Sequence, residues 1–78
     1  MEESIRSDQN VHVGANIREA RIKRHLGQTQ LVRLLQEQGV AISRESLVKI
    51  ERGTQHIKAS QLKAIKEFLG VSYDDLIK

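Results

Sequence analysis

Cysteine, proline and tryptophan are absent from these 78 residues, and the only aromatic rings beyond histidine are Phe68 and Tyr73. Without cysteine there are no disulfides and no thiolate metal sites, which argues against a small stapled secreted fold. With no proline and five glycines, the chain lacks the turn residues that a β-sandwich or barrel needs every 8–12 positions or so. No apolar run approaches the roughly 18 residues that span a bilayer, and the opening MEESIRSDQN is too polar for a signal peptide. A soluble, cytoplasmic protein with no membrane contact is expected. His12, His25 and His56 lie far apart, with no carboxylate arrangement that would complete a zinc site. Ser43 and Ser46 lack a glycine-rich elbow or a placed base, so a cap and a surface hydroxyl explain them better than a nucleophile does. The expectation is no enzyme, no metal and no cofactor.

What is present is positive charge in one place. Residues 1–10 carry a net −2, residues 11–58 a net +5, and residues 59–78 balance, within a formal total of +3. A basic middle suits a nucleic-acid partner, although solvated basic helix faces are common. Single-stranded RNA is disfavoured, because no exposed aromatic platform is available for stacking bases.

Apolar residues then recur at helical spacing. Residues 1–12 are polar and non-periodic and read as a flexible tail, leaving one domain over residues 13–78. A chain this short buries only about 60% of its unfolded surface, so the core is small. Val13, Ile17 and Ala20 mark a first helix that ends near His25, a residue type that tolerates the left-handed conformation. Leu31, Val32, Leu34 and Leu35 mark a second, from about Gln28 to Gln38, stopped by Gly39. Val40 and Ile42 are expected to tuck against the core in the turn that follows. Ser43 reads as the N-cap of a third helix over 43–52, with Leu47 and Ile50 inward and Gly53 as its stop. The polar loop TQHIK leads to a fourth helix from about Ala59 to Leu69, and Ser72 caps a short fifth with Asp74 and Asp75 at its positive end. The fold class is all-α, five helices without strands.

The third helix is SRESLVKIERG, with Arg44, Glu45, Lys49 and Arg52 kept off its apolar side. Together with IREAR (17–21), LGQTQLVRLL (26–35) and LGVSYDDLI (69–77), it resembles the lambda-repressor-like, XRE-type helix-turn-helix family of bacterial and phage regulators. The resemblance covers residues 13–77 and implies a compact five-helix domain that binds double-stranded DNA as a homodimer on a two-fold symmetric operator. It implies base contacts from Arg44, Glu45 and Lys49. Phosphate contacts are implied for Gln28, Ser43, Arg52, Thr54 and Lys58, and an ion pair between Arg21 and Glu51. The chemistry agrees: Arg and Lys donate to guanine O6 and N7, and Glu accepts from cytosine N4.

Plainer readings stand beside these. Arg44 and Lys49 also read as solvated charges, Glu45 as a local partner of Lys49 at i, i+4, and Gln28 as a polar first-turn residue. The chain departs from the family pattern between Leu35 and Ser43, where it carries several extra residues, which bears on the angle between the second and third helices. Gly27 stands in place of a threonine cap, Val32 where alanine is usual, and Leu34 where a polar residue is usual. Tyr73, Leu76 and Ile77 suit either a dimer contact or the core. The same fold also serves as a protein-interaction module or antitoxin, but such a helix would carry aromatic or aliphatic anchors in place of cations.

Overall fold

The computed structural model describes residues 12–78 and the backbone of residues 4–5; the tail expected over 1–12 otherwise lies outside the described residues. Five helices follow one another: α1 (Val13–Lys23), α2 (Gln28–Glu37), α3 (Arg44–Arg52), α4 (Ala59–Leu69) and α5 (Tyr73–Leu76). They enclose a core of Val13, Ile17, Leu31, Val32, Leu35, Ile42, Leu47, Ile50, Ile57, Leu62, Ile65, Leu69 and Leu76. The periodic positions of the sequence supply most of this core, because each helix has one stripe to bury and the stripes meet.

Two features differ from the reading of the sequence. A two-residue antiparallel pairing joins β1 (Ser4–Ile5) to β2 (Ile57–Lys58), in register Ser4 with Lys58 and Ile5 with Ile57, where no strand was expected. Ile57, within the stretch read as a polar loop, is buried in the core. A strand of two residues is too short to show any alternation, and a single apolar residue among polar ones leaves no periodic signal.

Four of the helices end alike. At α1 the left-handed residue is His25, with φ 57°; its amide reaches the Ile22 carbonyl and the Leu26 amide reaches Arg21. Gly39, Gly53 and Gly70 hold the same place after α2, α3 and α4. This pair of reverse hydrogen bonds satisfies carbonyls that the helix leaves open.

The longer turn between α2 and α3 is held by two glutamines. Gln36 donates through Nε2 to the Ile42 carbonyl at 2.8 Å. Gln61, on α4 and buried, donates to the Ala41 carbonyl at 3.0 Å and accepts from the Lys58 amide at 3.0 Å. Ile42 is buried and Val40 packs on the core as a partly buried residue. At the other end of the domain, Asn16 donates to the carbonyls of Leu76 (3.0 Å) and Lys78 (3.1 Å), which fastens α5 to α1. Leu76 is core, whereas Tyr73 and Ile77 are exposed, and the Lys66 ammonium lies 5.0 Å from the Tyr73 ring centre. Leu34 is half-buried and stands outside the core cluster.

Candidate nucleic-acid interface

α3 is held from three sides before any of its outward residues is considered. At its start the Ser43 hydroxyl accepts the Ser46 amide at 3.0 Å, satisfying a donor of the first turn. Along its inner side Leu47 and Ile50 are buried. At Gly14 the first helix comes so close that a Cβ there would overlap the Ile50 carbonyl oxygen. At its end Gly53 turns left-handed, and both the amide and the hydroxyl of Thr54 donate to the Lys49 carbonyl, at 2.9 and 3.2 Å.

Glu51 fastens it to the rest of the fold. The Arg21 guanidinium donates from Nε to Glu51 Oε2 at 2.8 Å and from Nη2 to Oε1 at 2.9 Å. Its remaining arm donates to the Leu26 carbonyl at 2.8 Å, and Gln28 Nε2 adds a bond to Glu51 Oε1 at 3.1 Å. Both charged side chains are nearly closed off from solvent, at 9% and 2% exposed. Such a pair offsets its desolvation only with good geometry and extra hydrogen bonds, and it has both here. α1, the α1–α2 turn, the first residue of α2 and α3 thus share one buried charge cluster.

The remaining charged residues of α3 point outward. Arg44, Glu45, Lys49 and Arg52 are all exposed. At 3.6 residues per turn, Glu45, Lys49 and Arg52 fall on the crest farthest from the buried stripe, and Arg44 falls on one flank. Glu45 and Lys49, at i, i+4, form no ion pair with each other; among the described residues the exposed pair of that spacing is Glu19 with Lys23, at 3.2 Å. Arg44 opens instead into a cleft of about 420 Å³ lined by Arg18, Gln28, Arg44, Val48, Glu51 and Arg52.

The residues singled out from sequence therefore fall into groups. Gln28, Arg44 and Arg52 share the cleft, Glu45 and Lys49 stand on the crest, and Arg21 and Glu51 lie beneath. Ser43 and Thr54 flank the two ends of a nine-residue helix, roughly 13 Å long. Lys58 is exposed in β2, beyond the loop. Gln28 is not simply a solvated first-turn residue, since its amide group is already bound to Glu51. Two cleft residues, Arg18 and Val48, were not singled out. Arg18 precedes Arg21 by three residues on α1, a spacing that puts both on neighbouring positions of one helix surface, and that was the available signal.

Among the described residues, no group of three or more His, Cys, Asp or Glu could hold a metal ion, and no helix is long and apolar enough to cross a membrane. Neither a curated protein nor a solved structure matches the chain. A family described as a helix-turn-helix domain matches over residues 14–78, which takes in all five helices but for the first residue of α1. The chain belongs to that helix-turn-helix family, of the lambda-repressor-like, XRE type.

Proposed function

We propose that this protein is a sequence-specific transcription regulator, a cytoplasmic repressor that binds a two-fold symmetric operator as a homodimer and inserts helix 43–52 into the major groove. The observation that carries the reading is the division of α3. Its inner side is committed to the core and to the Arg21–Glu51 cluster, while every other charged residue faces out. In this reading Arg44 and Lys49 donate to guanine and Glu45 accepts from cytosine N4. Gln28, Ser43, Arg52, Thr54 and Lys58 hold phosphates, positioning the domain without reading sequence. Helix-turn-helix dimers bind half-sites one helical turn apart, about 34–36 Å.

Selection from a random duplex pool, followed by titration of wild type and Arg44→Ala at two salt concentrations, tests this. The expected result is an enriched two-fold symmetric site at which Arg44→Ala loses about 1–3 kcal/mol, concentrated at one base pair. A pool with no enriched sequence, and equally weak salt-sensitive binding by both proteins, would refute direct readout.

A further inference from the structure

The cleft beside α3 is lined by three arginines, Arg18 on α1 and Arg44 and Arg52 on α3. All three residues are exposed, and none forms an ion pair among the described residues. The one carboxylate in the cleft wall, Glu51, does not compensate them, because it is already engaged by Arg21 and Gln28. Like charges brought together over a shared concavity focus a positive potential and raise the local concentration of anions. A guanidinium meets a phosphate through two parallel donors in a fixed fork, a match that neither chloride nor water supplies. Gln28 is the first residue of α2, so the positive end of that helix adjoins the same cleft.

We propose that this cleft seats a phosphodiester group of the duplex backbone and that Arg18 is a phosphate anchor contributed by α1. This rests on the DNA-binding reading above and extends it to a helix that the sequence had left out of the interface. Arg18 and Arg52 approach one phosphate from two different helices, so the seat fixes the position of α1 against the DNA as well as that of α3. Being sequence-blind, the contact governs affinity and salt dependence and leaves base preference unchanged.

The test measures binding of wild type, Arg18→Gln and Arg18→Lys to the selected duplex and to an unrelated one, from 50 to 200 mM salt. Each phosphate contact contributes about 0.9 to the slope of log affinity against log salt, so the fourfold salt rise weakens binding about 3.5-fold per contact. Arg18→Gln is expected to lose that one increment on both duplexes equally, with Arg18→Lys retaining most of the slope. Arg18 is exposed, so a thermal melt of Arg18→Gln should match wild type. An unchanged slope for a folded Arg18→Gln, with wild type binding normally, overturns the inference and leaves the DNA reading intact. Stabilisation of wild type but not Arg18→Gln by inorganic phosphate, with no slope difference on DNA, also overturns it and assigns the cleft to a free phosphate. Failure of wild type to bind any duplex removes both readings together.

Discussion

His25 shows how one residue type can be tolerated without being optimal. An L-residue in the left-handed region costs about 1–2 kcal/mol, which glycine does not incur. The other three helix ends of this kind use glycine. His25→Gly is therefore expected to raise stability by about 1 kcal/mol after the extra freedom of the unfolded chain is subtracted, a Tm rise of about 4–8 °C for a domain this small. A thermal melt with no rise would show that the imidazole makes an offsetting contact. This position was legible from sequence, because histidine before a leucine and a glycine suggested a left-handed stop. Gly14 was not: nothing in VGANIREAR distinguishes a helical glycine that exists for the Ile50 backbone from one that is merely tolerated. Only the crossing of α1 over α3 gives it meaning.

Among the elements, both ends of α3 and the end of α4 were legible because each carries its own signal. Ser43 and Gly53 bracket α3, and Gly70 closes α4. The two glutamines that hold the α2–α3 turn were not legible. Gln36 and Gln61 look like surface residues in a sequence, and their partners are backbone carbonyls at Ile42 and Ala41 whose positions depend on the finished fold. α5 carries a cap that can be titrated. The Ser72 backbone amide donates to Asp75 Oδ2 at 3.0 Å, and the Ser72 hydroxyl accepts the Asp75 amide at 3.2 Å. The first bond above all, then the Ser72 hydroxyl and to a lesser degree Lys78 and Lys23, holds the Asp75 carboxyl below its ordinary value of 3.8. A depressed folded-state pKa means that this stabilisation is complete above pH 3.8 and fades as the pH falls through the lower folded value. Protection of the amides within residues 72–76, with the intrinsic exchange rate at each pH divided out, should fall over that acid window in wild type. In Asp75→Asn that pH-dependent loss of protection should disappear, and an identical acid response in the two proteins would reject the account.

For the molecule as a whole, the Arg21–Glu51 cluster decides whether the domain holds together. Glu51→Ala leaves the Arg21 guanidinium enclosed without its acid, a change that costs about 3–5 kcal/mol. Native proteins have only about 5–15 kcal/mol in total, so the loss removes a large share of the stability and urea unfolding of Glu51→Ala should shift to markedly lower denaturant. Arg21→Met combined with Glu51→Leu should recover part of the loss, because no charge is then stranded. A single-variant loss under about 1 kcal/mol would show that the cluster is dispensable. The pairing itself could be read from the family resemblance, but its bonds to Leu26 and Gln28 could not, since they join segments that only the packed chain brings together. The β1–β2 pairing escaped notice for a related reason. Its two residues a side become a strand only by meeting each other.

The way α3 is secured has a thermodynamic consequence. Its cap, its buried stripe, its left-handed stop and the Glu51 bonds are all in place in the chain by itself. In the proposed DNA-binding mode, docking it into a groove requires no coil-to-helix transition of that segment. The heat-capacity change on association should then follow from the area covered at the interface alone, without the additional negative contribution of coupled folding. Encounter should likewise be governed by long-range attraction between the basic surface and the duplex, fast at low ionic strength and slower as counter-ions screen it.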